Sequence, residues 1–165
     1  MKRFLIPLLS LALLCAAFAG CAKKETRSKI SMYDLSKSML GATQFGEMRY
    51  VSNTDDDAEE EFEYLSDLDY KLVDSWFLSY AADGKGNADE VAVIRVKQEK
   101  DVDRAVSSLK AHLDKRVALY KTYDPSQSEK VGRGVVFSDG SFAVLIVSGD
   151  NQAVRKAFRD FLAQQ

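Results

Sequence analysis

Six consecutive apolar residues, Phe142-Ala143-Val144-Leu145-Ile146-Val147, constrain this chain more than any other stretch. Successive side chains of a strand point to opposite faces, so Phe142, Val144 and Ile146 form one apolar face and Ala143, Leu145 and Val147 the other. A strand apolar on both sides belongs in the middle of a sheet covered twice. Gly134-Val135-Val136-Phe137 precedes it across Ser138-Asp139-Gly140-Ser141, and Asp-Gly between two apolar runs is a strong hairpin signal because both turn residues must tolerate positive φ.

A second hairpin is expected upstream. Trp76-Phe77-Leu78-Ser79-Tyr80-Ala81 reads as a strand by its aromatic content, and Glu90-Val91-Ala92-Val93-Ile94-Arg95-Val96 as its partner across Asp83-Gly84-Lys85-Gly86-Asn87. The Gly84/Gly86 pair is taken as a structural turn rather than a phosphate loop, because a strand follows it and no helix N-terminus points at an anion. Each hairpin leads into a helix. After Asp101, the residues Val102, Ala105, Val106, Leu109, Leu113, Val117 and Tyr120 form one stripe that stops before Asp124-Pro125. After Asp150 or Asn151, the apolar positions are Val154, Ala157, Phe158, Phe161 and Leu162. The two stripes match at a constant offset, but similar amphipathic helices also agree by chance. The expectation is an α+β domain in ββα-ββα order: a four-stranded antiparallel sheet of two hairpins, with both long helices on one face.

Something must then cover the second face. One candidate is the segment Tyr33 to Leu72, with Leu35, Met39, Phe45, Met48, Phe62, Leu65 and Leu68 available. The other is a second copy or an envelope partner, with Trp76 and Tyr80 as aromatic anchors. Within that segment a short helix is expected, capped by Asp34 and ended by Gly41, followed by an extended Arg49-Tyr50-Val51. The block Asp55-Asp56-Asp57-Ala58-Glu59-Glu60-Glu61-Phe62-Glu63 repels itself and reads as a solvated loop; it lacks the glycine and alternating spacing of a calcium loop. A helical turn is expected between Leu65 and Val73, capped by Ser66 or Asp67.

The N-terminus sets location. Lys2 and Arg3 precede an apolar run from Phe4 to Ala19, and Phe18-Ala19-Gly20 puts small residues directly before Cys21. This is a secretory leader of the lipoprotein kind, with cleavage between Gly20 and Cys21 and acylation of the Cys21 thiol. The run is short for a membrane span of about 20 residues and contains Pro7. The expected organisation is a leader at 1–20, a lipidated tether at 21–30 and one extracytoplasmic domain at 31–165. In a cell with two membranes, Ala22 carries no aspartate retention signal, which points to the outer one. The two cysteines are Cys15, inside the leader, and Cys21, so the domain uses no disulfide.

Around Ala88-Asp89-Glu90-Val91-Ala92-Val93 an acidic pair leads into a β-branched strand, and Asp101-Val102-Asp103 opens the next helix. With Asp34-Leu35, and with Phe45 followed by Glu47-Met48, this resembles a family of small bacterial lipoproteins, found mainly in Gram-positive anaerobes and described as a domain of unknown function. The likeness runs from about Asp34 to Leu162 and is interrupted by the acidic block. It implies an anchored α+β domain and brings no activity, cofactor or catalytic residue.

The chain carries 23 Lys and Arg against 25 Asp and Glu, so it offers no basic footprint for nucleic acid. Its single histidine, His112, falls beside the helix stripe near Leu109 and Arg116, with no thiol, second histidine or Gly-x-Ser-x-Gly to work with, and reads as a flank residue. No catalytic residue, metal set or cofactor motif is assigned. The expected function is a non-catalytic module, held to a membrane by its lipid and binding an envelope protein or wall polymer. The alternative is a carboxylate-dependent envelope hydrolase.

Overall fold

Phe142–Val147 is buried at every position, as its two apolar faces require. It is the fourth strand across a five-stranded sheet in a computed structural model that describes residues 30–82 and 86–165. The leader, Gly20, Cys21, the tether to residue 29 and Asp83, Gly84 and Lys85 of the expected turn lie outside the described residues. The strands are β1 (Met48–Ser52), β2 (Val73–Ala81), β3 (Glu90–Val96), β4 (Val135–Asp139) and β5 (Phe142–Val147), in spatial order β1-β2-β3-β5-β4 with every pairing antiparallel. Among the described residues the α-helices are α1 (Met32–Leu40), α2 (Ala58–Leu65), α3 (Val102–Tyr123), α4 (Pro125–Gly132) and α5 (Asn151–Ala163). Both expected hairpins form. The sheet has five strands rather than four because Met48–Ser52 pairs alongside β2.

The two long helices do not share a face. Ala105 and Leu109 of α3 pack with Trp76, Leu78, Ala92, Ile94, Ala143 and Leu145, joined by Phe62 and Leu65 of α2. On the other side, Phe158 of α5 meets Phe137 and Phe142 edge-on, at 5.6 and 6.0 Å between ring centroids. There α1 packs against α5, β2 and β3, burying Leu35 and Met39 completely. The reason is the double apolar face of β5: each face receives one long helix, and one short helix completes it. The link after β5 directs α5, because Asn151 Oδ1 accepts from the Ser148 backbone N–H at 2.9 Å while Asn151 Nδ2 donates to Arg133 O at 2.8 Å. A two-fold axis normal to the sheet would put both helices on one face, so the matching stripes are no structural repeat. Coverage of the second face by the N-terminal segment holds for Leu35 and Met39. Phe62, Leu65 and Leu68 pack on the first face instead.

Three local expectations are corrected. The acidic block is helical from Ala58 onward: Ala58, Phe62 and Leu65 lie on one helical face and are buried, while Glu59, Glu60 and Glu61 occupy the first turn, where negative charge suits the helix dipole. Ser31 rather than Asp34 caps α1, its Oγ accepting from the Asp34 N–H at 3.2 Å. The expected helical turn between Leu65 and Val73 forms as a 3-10 turn at Tyr70–Leu72, but Asp69 rather than Ser66 or Asp67 caps it. In the β4–β5 hairpin the two central turn residues are Gly140 and Ser141, with Gly140 at φ 55°.

Candidate functional site

Asp89 and Glu90, at the head of β3, are the two most buried carboxylates among the described residues, at 5 % and 4 % exposure. Strand alternation puts Glu90 on the face of Ala92 and Ile94, beneath α3. That helix presents His112 and Arg116 one turn apart, on neighbouring positions of its surface. His112 Nε2 lies 2.8 Å from Glu90 Oε1, and a carboxylate acceptor there holds the ring proton on Nε2. Arg116 Nη1 stands 2.7 Å from Glu90 Oε2, but off its N–H axis, so the contact is an ion pair rather than a directed hydrogen bond. Arg116 Nη2 donates to Ala88 O at 3.2 Å, and the guanidinium lies 5.4 Å from the Tyr120 ring centroid.

Asp89 is held from α4. Lys130 Nζ donates to Asp89 Oδ1 and to Asn87 Oδ1, each at 2.9 Å, and Asn87 Nδ2 donates to Asp89 Oδ2 at 3.0 Å. Gln127 Oε1 accepts from the Ala88 N–H at 3.3 Å. The approach to the strand turns at Gly86, with φ 77°, where a Cβ would stand 3.0 Å from Asp124 Oδ2. Helix α4 exists because Asp124 Oδ1 caps it through the Ser126 N–H at 3.1 Å and Pro125 takes its first position, where no N–H is needed.

The cluster therefore joins three elements, β3, α3 and α4, by opposite charges taken largely out of water. Each carboxylate has both oxygens engaged, Glu90 by His112 and Arg116, Asp89 by Lys130 and Asn87. A general acid or base needs an oxygen within reach of a substrate proton. Here the oxygens face their own partners, and the arrangement acts as a clasp.

A second polar seat lies under α2. Ser66 and Ser108 share a hydroxyl–hydroxyl bond of 2.8 Å, and Ser108 Oγ donates to Asp67 Oδ1 at 2.5 Å. Beside it is a cleft of about 400 Å³ lined by Glu59, Glu63, Asp67 and Asp69 with Phe62 and Tyr70. Among the described residues, no group of three or more His, Cys, Asp or Glu is placed to hold a metal ion.

Of the residues singled out from the sequence, Gly20 and Cys21 lie outside the described residues. Trp76 is no surface anchor: it is fully buried, with Phe62 edge-on at 5.3 Å and its Nε1 donating to Tyr70 Oη at 3.3 Å. A large aromatic in a strand facing two helices packs inward. Tyr80 is half-buried, with the Arg49 guanidinium 6.0 Å from its ring. His112 flanks its stripe as expected, yet it sits on Glu90. The members not singled out are Asn87, Arg116 and Lys130; the available signal was an acidic pair opening an otherwise apolar strand.

Fold and site together define a mixed α+β domain with a buried ionic clasp at one end of its antiparallel sheet. The chain belongs to a family described as a domain of unknown function (DUF4358), whose model matches residues 48–148. The matched span is narrower than Asp34 to Leu162. It holds all five strands, α2, α3, α4 and the whole clasp, and leaves out α1 and α5. No curated protein matches the chain, and no solved structure matches it.

Proposed function

We propose that this protein is a lipid-anchored extracytoplasmic module that binds an envelope component without catalysing a reaction. The ending Phe18-Ala19-Gly20-Cys21 of the apolar leader carries the reading. Two observations are in keeping with it. Among the described residues no helix is long and apolar enough to cross a membrane. The buried carboxylates are spent on internal partners. Labelling cells with a radioactive fatty acid and partitioning the extract between detergent and water tests the anchor. The wild-type chain should take up label and enter the detergent phase, whereas Cys21→Ser should do neither. An unlabelled wild-type chain free in the medium rejects the proposal.

The second reading, a carboxylate-dependent envelope hydrolase, is favoured by the acid-lined cleft of Glu59, Glu63, Asp67 and Asp69. Release of soluble fragments from purified wall polymer, lost in Glu63→Gln, would select it over the binding module.

A further inference from the structure

We infer that the outer edge of β1 takes up an extended cationic peptide as an additional strand of the sheet. β1 ends the strand order, and among the described residues it pairs only with β2. Two hydrogen bonds set the phase of that pairing: Ala82 N–H donates to Glu47 O at 2.9 Å, and Asn53 N–H to Trp76 O at 3.3 Å. In an antiparallel ladder, alternate residues exchange hydrogen bonds with the partner. Glu47, Arg49, Val51 and Asn53 thus address β2, and Met48, Tyr50 and Ser52 direct their N–H and C=O groups outward. Ser52 is already closed. Its N–H donates to Asp55 Oδ2 at 2.6 Å and its carbonyl accepts from the Asp55 N–H at 3.2 Å.

Met48 and Tyr50 are left, spaced as one antiparallel neighbour would need them. An open cavity of about 510 Å³, lined by Arg49, Tyr50, Val51 and Asp55 to Asp57, runs beside them. Edge strands are commonly protected by lysine, proline or a bulge. β1 has none of these: its sequence is Met-Arg-Tyr-Val-Ser and its register with β2 is unbroken. Its one cation, Arg49, is directed to Glu61 and to the Tyr80 ring, on the face of the strand that α2 covers.

Charge selects the occupant. Asp55, Asp56 and Asp57 border the edge, and Glu59, Glu60 and Glu61 follow in the first turn of α2. A strand entering there gains main-chain hydrogen bonds whatever its sequence, and lysine or arginine side chains would meet the acidic rim. This deepens the binding-module reading by naming a partner class. Its test runs on the full chain in detergent micelles, where the result does not depend on whether Cys21 is acylated.

The probe is a synthetic hexapeptide of alternating lysine and valine, with the glutamate-for-lysine peptide and an N-methylated lysine peptide as controls. Amide hydrogen exchange is followed residue by residue. The lysine peptide should slow exchange at Met48 and Tyr50 at least about ten-fold, and the two controls should not. The effect should weaken several-fold between about 50 and about 300 mM salt. Met48→Pro removes an outward N–H while sparing the β2 ladder, and should abolish the protection. Asp56→Lys with Asp57→Lys should weaken binding at least about five-fold, and serves alone if the proline variant does not fold. No slowing at Met48 and Tyr50, equal slowing by the acidic peptide, or slowing that grows with protein concentration in the absence of peptide would each overturn the inference. The last outcome would assign the edge to a second copy.

Discussion

Replacing Glu90 by glutamine tests whether the cluster at the head of β3 is a clasp. The amide matches the carboxylate in shape and removes its charge. Turned one way, its NH2 faces the Arg116 Nη1 donor, now 2.7 Å from the carboxylate; turned the other way, it meets His112 Nε2, now 2.8 Å away, and can donate there only if the ring moves its proton to Nδ1. The Arg116 and Glu90 side chains are only 14 % and 6 % exposed, so water cannot take over the interaction. Removing one partner of a buried ion pair typically costs about 3–5 kcal/mol because the other charge stays behind. The amide keeps one good hydrogen bond, so the lower end, about 3 kcal/mol, is expected. For a chain of this size that is a fall of roughly 6–12 °C in melting temperature, or about 1–3 M in the urea midpoint. Arg116→Met should cost a similar amount. In the double variant no unpaired charge remains between the two positions, so its cost should fall short of the sum by about 2 kcal/mol. Urea unfolding of the four proteins, followed by far-ultraviolet circular dichroism, measures the cycle. A Glu90→Gln protein destabilised by less than about 1 kcal/mol, or made more stable, would refute the reasoning. Gain on mutation marks a group held against its surroundings for function, and Glu90 would then be a candidate for chemistry.

Two further outcomes are expected. Ser79, fully buried on β2, has a hydroxyl with no partner among the described residues, so Ser79→Ala should leave stability unchanged or raise it by up to about 1 kcal/mol in thermal unfolding; a loss above about 1 kcal/mol would mean a partner for the hydroxyl exists. Burial, helped by the charge of Asp55, raises the Tyr50 phenol above its ordinary 10.0, so the folded protein holds that proton more tightly than the unfolded chain. Its contribution is complete below pH 10.0 and is lost as pH rises through the folded value, so the stability advantage of wild type over Tyr50→Phe should shrink on going alkaline, and an advantage that grew would be the wrong sign.

The hairpins and both long helices were legible because their signals are local. Asp-Gly between apolar runs and stripes at three- and four-residue steps need only neighbours in sequence. The acidic block misled for a physical reason: seven charges dominate its composition, but three anchors, Ala58, Phe62 and Leu65, decide its conformation. Helical spacing sets a good anchor triad on one face, and the charges need only find solvent on the other. Proline at 125 was read as a stop, which it is for α3; with Asp124 before it, it is equally a start for α4. The clasp was the least legible part. Glu90 meets residues 22 and 26 positions away and Asp89 meets Lys130 at 41, separations that topology alone closes.

The misplaced helix shows where pattern reasoning stops. A stripe says that a helix is buried on one side, and it carries no label for which side of a sheet receives it. The deciding information lay in β5 itself. Two apolar faces on one strand require two covering layers, and only α3 and α5 are long enough to lead them. Assigning both to one face left Phe142, Val144 and Ile146 to a short helix and loops. Assigning one to each face closes both with the chain's own residues, and releases Phe62 and Leu65 to seal Trp76 on the first. Once each face is closed from within, Trp76 is no longer free to meet a partner, while Tyr80 stays half-buried. Among the described residues, the β1 edge of the sheet leaves a margin of backbone at Met48 and Tyr50, where side-chain patterning gives no signal and hydrogen-bond phase does.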